Sequence, residues 1–262
     1  MIEMGKEERP AGHDHRDVLV IGSGFGGSMA AWPLVEAGAD VLMLERGPWV
    51  ERGPQNWLPE GSLTRTPYYP DDGHFLATTD SGVQKGRSCS CVGGPSVFYG
   101  AVSMRFREGD FHPDPEIVTD SGARWPMEYR HLQPWYAQAE RILGVAGVGG
   151  QDPTEPVRES DYPASPGDLS HVSAVMADAA RSLGLHPFRL PLAINYGAGG
   201  EGRGVCEACA TCDTFACAVE AKNDLAVHVI AALQSRGMEL RAQTVVTRLD
   251  VEGNRVVGAE CR

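Results

Sequence analysis

The sequence predicts an α/β fold that opens on a strand–turn–helix–strand unit. Three observations predict it. Asp17 to Ile21 (DVLVI) is a short, β-branched apolar run that reads as a buried strand. The glycine-rich run Gly22-Ser23-Gly24-Phe25-Gly26-Gly27 follows at once and leads into helical spacing. A second apolar run, Val41 to Leu44, ends on Glu45.

The remaining elements follow in order. The first helix is expected from about Gly26 to Ala37, with Gly38 as its stop. Pro33 removes a helical hydrogen bond and predicts a kink near the middle. Gly47 to Gly86 reads as a long loop rich in Pro, Gly, Asp and aromatics, the kind of stretch that wraps a ligand. Leu132, Trp135, Tyr136, Ala139, Ile142 and Leu143 set helical spacing across 131–143. Pro, Gly, Ser and acids over 149–167 mark a linker. Ser170 is placed to cap a helix carrying Val172, Val175, Met176, Ala179, Ala180 and Leu183. A further helix is expected from about Asp224 to Arg236, and then two strands around the turn Glu252-Gly253-Asn254. The strand-like run 256–261 with no closing cap predicts a chain cut in mid-domain or completed by a second polypeptide.

Composition excludes several classes. The 262 residues are 42% apolar and 22% charged, which is ordinary for a globular chain long enough to bury a core. A net charge of −12 opposes nucleic-acid binding through the phosphate backbone. No apolar run reaches membrane-spanning length. The first sixteen residues are polar and mixed in charge, without the apolar core of a signal peptide, so a cytoplasmic setting is expected. Seven cysteines, an odd count, argue against a complete disulfide framework.

Gly22-Ser23-Gly24-Phe25-Gly26-Gly27 fits G-x-G-x-x-G, with Glu45 23 residues after Gly22. The pattern alone is weak, but between a strand and a helix, and followed by an acid closing the next strand, it is specific for a Rossmann-like dinucleotide site. Gly22 permits the tight turn, Gly24 lets the backbone approach a pyrophosphate, and Gly27 lets helix and strand pack closely. Ser23 sits beside the helix N-terminus, whose free N–H groups face the phosphates. Glu45 would accept hydrogen bonds from ribose hydroxyls and repel a 2′-phosphate.

Several segments in one order resemble the glucose–methanol–choline (GMC) oxidoreductases. Asp17 to Gly47, ending Leu44-Glu45-Arg46-Gly47, resembles the family's FAD-binding start. Gly93-Gly94-Pro95-Ser96 followed by Val97-Phe98-Tyr99-Gly100 resembles its second glycine-rich flavin motif. Trp125-Pro126-Met127 with Tyr129, then Lys222, Val246-Thr247-Arg248-Leu249 and Val257-Gly258, match later landmarks. The resemblance spans about Asp17 to Cys261. The family often has Ser or Thr at the position of Pro95 and Asn at that of Tyr99.

The resemblance implies a Rossmann-like FAD-binding domain, incomplete at the C-terminus, with part of a substrate domain. It divides the chain into a flexible tail (1–16), the FAD core with its covering loop (17–150), a linker and the start of the substrate region (151–205), and a Cys-rich segment with helix and hairpin (206–262). It implies oxidation of an alcohol by hydride transfer to FAD, with a His as general base. Gly22, Ser23, Gly24 and Gly27 would hold the pyrophosphate, and Glu45 the adenosine ribose. Gly93, Gly94 and Ser96 would lie along the ribityl chain and the pyrophosphate, and Val246 would meet the adenine through its main chain. The family's catalytic His pairs with a second His or Asn in a C-terminal part that this chain lacks. None of His74, His112, His131, His171, His186 or His228 sits in the matching motif, so no catalytic residue is assigned. The expected partners are a small-molecule alcohol and a second polypeptide or an electron-acceptor protein. Two rival readings are an NAD-dependent dehydrogenase, which the second glycine motif and the long loop oppose, and a non-catalytic flavin-binding module.

Cys206, Cys209, Cys212 and Cys217 form C-x2-C-x2-C-x4-C. Such a run suits structural thiols, local disulfides, zinc or an iron–sulfur cluster, and similar runs occur in several GMC branches. Cys89 and Cys91 read as loop thiols.

Overall fold

The computed structural model describes residues 14–63, 67–69, 75–79, 82–86, 88–197 and 203–262. Most of the expected tail, and His74, lie outside them. The core is a three-stranded parallel sheet in the order β1-β2-β5, formed by β1 (Val18–Ile21), β2 (Val41–Leu44) and β5 (Glu239–Arg241). The register pairs Val18 with Val41 and Leu42 with Glu239. Helix α1 (Phe25–Glu36) crosses between the first two strands. β2 lies in the middle, and all four of its residues are buried, as a continuous apolar run in a parallel sheet requires.

Four expectations need correction. β1 is not fully buried: among the described residues it pairs with β2 alone, and Leu19 and Ile21 are exposed. The 47–86 stretch contains an antiparallel hairpin, β3 (Phe75–Thr79) with β4 (Gly82–Gly86). Glu239–Arg241 is a third parallel strand rather than part of the terminal pair, which is β6 (Val246–Glu252) with β7 (Arg255–Cys261). The helix expected from Asp224 begins as a π-helical turn, Leu225–Ile230, and continues as α5 (Ala231–Ser235). Helix α1 continues past Pro33 as one element, Phe25–Glu36, and is closed by the Ala37 N–H donating to Pro33 O at 3.0 Å.

The other helices are α2 (Pro115–Ser121), α3 (Tyr129–Leu143) and α4 (His171–Ser182). Sequence reading missed α2, which Asp114 caps by accepting from Glu116 N–H. Ser170 caps α4 by accepting from Ser173 N–H, yet no residue of α4 is buried. The 149–167 stretch is pinned to α3. Arg105 donates two bonds to Glu140 (2.7 and 2.8 Å), Arg158 donates a third (2.6 Å), and the Arg158 guanidinium lies 3.7 Å over the Tyr162 ring. Among the described residues, no helix is long and apolar enough to cross a membrane.

Candidate dinucleotide cradle and cysteine loop

The turn after β1 is built by glycine geometry. Gly22 has φ +91°, a conformation that L side chains rarely adopt, and donates its N–H to Leu44 O at 2.8 Å. Gly24 caps α1 with extended backbone and no side-chain bond. A Cβ on Gly22 or Gly24 would meet open space, so both backbones are free of packed neighbours there. A Cβ on Gly27 would lie 2.0 Å from Gly22 O, so this position requires glycine for helix and strand to pack. The second glycine turn meets the first: a Cβ on Gly94 would lie 3.2 Å from the Gly24 Cα. Gly93 and Gly94 have φ +86° and +58°.

A buried relay joins these pieces. The Glu45 carboxylate accepts from Ser23 N–H (3.0 Å), Ser23 Oγ (2.5 Å) and Gly47 N–H (2.9 Å). Ser23 Oγ accepts from Gly93 N–H at 3.0 Å. Ser96 Oγ donates to Gly93 O (2.7 Å) and accepts from Leu225 N–H (3.0 Å). Ser23 and Ser96 are wholly buried, so both hydroxyls brace protein against protein. Glu45 is 6% exposed and closes the strand as expected. Thr244 N–H donates to Glu45 O and Gln243 N–H to Gly47 O, which lays the segment entering Val246 beside the acid. Val246 itself opens β6 opposite Cys261.

Sequence reasoning missed two residues that close the cradle. Asp224 caps the π turn through Ala226 N–H (3.1 Å) and forms a two-bond ion pair with Arg52, at 3.0 Å each. Its side chain is inaccessible and that of Arg52 is 6% exposed. A buried pair of this kind is held by geometry, and losing one partner strands a charge. The only sequence signal was an Asp before an apolar helical run.

The cysteine loop is organised by Lys222. Its Nζ donates to Tyr99 O (2.9 Å), Cys212 O (2.7 Å) and Phe215 O (2.8 Å), which engages all three N–H groups of an ammonium. Burial pushes its pKa down to about 8, so the ion persists at neutral pH. Tyr99, standing where the family often has Asn, packs edge-on against Phe25 at 5.8 Å. Every cysteine is a free thiol. Among the described residues, no three Cys, His, Asp or Glu side chains converge on one point. As placed, the four thiols therefore do not fit a zinc or cluster ligand set.

The family model for an NAD(P)-binding Rossmann-like domain matches residues 20–50, the β1–α1–β2 unit and the residues just after it. Paromamine 6'-oxidase from Streptomyces fradiae is 37% identical over 93% of this chain and 43% of its own length. The chain belongs to the glucose–methanol–choline oxidoreductases. A second GMC-type relative, 6'''-hydroxyparomomycin C oxidase from Streptomyces lividus, is 36% identical over the same shares. The gluconate 2-dehydrogenase flavoprotein from Pantoea cypripedii is 27% identical over 91% of the chain and 46% of its own length. The chain thus spans less than half the length of these curated relatives. Pyridoxine 4-oxidase from Mesorbium loti shares the fold, with a TM-score of 0.54 at 22% identity, over 94% of this chain and 46% of that one.

Proposed function

We propose that this chain is the FAD-binding half of a GMC oxidoreductase that oxidises the CH–OH group of an alcohol donor. The observation that carries the reading is the meeting of two glycine turns at Gly24 and Gly94, below open space at Gly22 and Gly24. Small residues and free helix-terminal N–H groups suit a pyrophosphate there. The fit extends to Glu45, a buried acid beside the first turn at the end of β2.

In this reading Gly22 and Gly24 approach the pyrophosphate, and Gly27 keeps α1 against β1. Glu45 orients the adenosine ribose while holding Ser23. Gly93 and Gly94 pass the ribityl chain, and Val246 offers main-chain atoms to the adenine. Ser23 and Ser96 act from beneath, by fixing the turns that make contact. Bound FAD would supply the hydride acceptor for the carbinol carbon. The proton on the alcohol oxygen needs a base, and we assign none within this chain. His228 is half-buried, held neutral with its pKa down at about 4, and occupied by the Ile142 backbone.

A second reading is a flavin-binding module that works with another polypeptide or an electron-acceptor protein. The fructose dehydrogenase large subunit from Gluconobacter japonicus, 27% identical over 68% of this chain, favours it by its name. Seven free thiols suit a reducing compartment such as the cytoplasm.

The test is a visible absorption spectrum of the purified chain before and after denaturation. Flavin bands released by denaturation, and lost in Gly24→Val, are the expected result. A colourless chain that takes up no added FAD would overturn the reading. Alcohol-dependent dye reduction by the isolated chain is expected to be absent.

A further inference from the structure

Cys89 and Cys91 flank Ser90 immediately before the second glycine turn. Both are buried, Cys89 at 8% exposure and Cys91 at none. Their sulfur atoms lie 3.3 Å apart, close enough for one thiol to hydrogen-bond the other. Among the described residues, no other two thiols come within such reach. The backbone holds them so. Ser90 N–H donates to Tyr68 O (2.8 Å), Val92 N–H to Pro48 O (2.9 Å) and Gly94 N–H to Cys91 O (2.9 Å). The Arg46 guanidinium donates to Cys89 O at 3.1 Å. Gly47 leaves no room for a side chain against Ser90, since a Cβ there would lie 2.0 Å from the Ser90 carbonyl carbon. With the chain pinned on both sides, the two side chains point into one small volume.

We propose that Cys89 and Cys91 form a two-electron redox site, oxidised by a hydroperoxide to a disulfide that loosens the second glycine turn. Cys89 is the attacking thiol. Hydrogen bonds from Cys91 and from the Tyr69 hydroxyl lower its pKa against the cost of burial, while Cys89 and burial together hold the Cys91 proton on. Cys89 Sγ attacks one peroxide oxygen. An S–O bond forms, the O–O bond breaks, and water leaves with a proton. Cys91 Sγ then attacks the Cys89 sulfur. The S–S bond forms, the S–O bond breaks, and hydroxide leaves as water with the Cys91 proton. Two thiols and one hydrogen peroxide give one disulfide and two waters. Closing the gap between the sulfurs draws on a segment that is bonded through Cys91 to Gly94 and, two residues on, through Gly93 N–H to Ser23. The disulfide therefore pulls on the turn that meets Gly24.

The test uses the whole chain and does not require FAD, so its failure is separable from failure of the cofactor reading. The reduced chain is treated with hydrogen peroxide, alkylated and digested with trypsin. Cleavage after Arg87 and Arg105 isolates both cysteines on residues 88–105. The expected peptide is unalkylated, lighter by two hydrogens than after dithiothreitol, and restored by it. Two alkylated cysteines on this peptide, at a dose that has consumed the exposed Cys209, would overturn the proposal. So would Cys89 sulfinic acid beside an alkylated Cys91. Amide exchange over 93–97 is expected to rise roughly threefold on oxidation of the wild type and to stay level in Cys91→Ser. A disulfide with unchanged exchange there would overturn the coupling to the turn.

Discussion

The dinucleotide cradle and the cysteine loop both need backbone conformations that ordinary residues avoid, and they obtain them differently. In the cradle, Gly22, Gly93 and Gly94 take positive φ with no Cβ to object. In the loop, Ala208 (φ +50°), Ala210 (φ +59°) and Thr214 (φ +70°) take the left-handed region with side chains attached. That costs roughly 1 kcal/mol or more per residue, and surrounding structure must impose it. Around Thr214, Lys222 supplies part of that structure by gripping Cys212 O and Phe215 O on either side. One region carries its unusual shape in its own residues; the other borrows it in part from a buried cation that follows the loop in the chain.

This contrast can be broken from either side. The largest effect is expected for Gly27→Ala, because its methyl would lie 2.0 Å from a backbone oxygen that cannot step aside. The loss should be about 3 kcal/mol or more, read as a fall in the urea midpoint, with FAD uptake lost. Lys222→Met should cost about 2 to 3 kcal/mol by stranding buried carbonyls. Limited proteolysis should then cut within 206–217 before it cuts the cradle.

Acid should attack the cradle instead. His228 lies on the π turn that packs Ala226 against Gly93, and its pKa is about 4 in the fold against 6.5 unfolded. The unfolded chain takes the proton first, so stability present above pH 6.5 declines as pH falls towards 4. By pH 4.5 the loss from this group should be about 2 to 3 kcal/mol. Urea titrations of wild type and His228→Gln across that range should differ in slope. The smallest effects have opposite signs. Gly22→Ala should cost about 1 kcal/mol through φ alone, whereas Ala208→Gly should gain about 0.5 kcal/mol by relieving it. Thermal melts of the two variants test the comparison directly.

The same contrast explains what could be read from residues alone. The β1–α1–β2 unit and its turn were legible because glycine, apolar runs and the closing Glu45 are local signals. α3 and α4 were legible from period and from Ser170 as a cap. β5 was not, since Glu239–Arg241 is three residues long and becomes a strand only by lying beside β2. The exposure of β1 was equally hidden, because DVLVI reads the same at an edge as in the centre of a sheet. The candidate glycines were legible as positions, but the inward aim of Ser23 and Ser96 depends on Glu45 and Leu225, far away in the chain. Arg52 and Asp224 carry no motif, and their pairing spans the chain.

The relay from Glu45 through Ser23, Gly93 and Ser96 to Leu225 also has a consequence in time. A chain leaving the ribosome presents its first glycine turn early, but the partner of Ser96 and the packing surface of Gly93 arrive only with residues 225 and 226. Until then the strand–helix–strand unit has no floor beneath its second turn. Closure over such sequence separation is slow compared with forming the unit itself. Cofactor capture is thereby postponed until residues 225 and 226 have emerged, so a nascent chain stalled before residue 225 should carry the recognisable motif and hold no flavin.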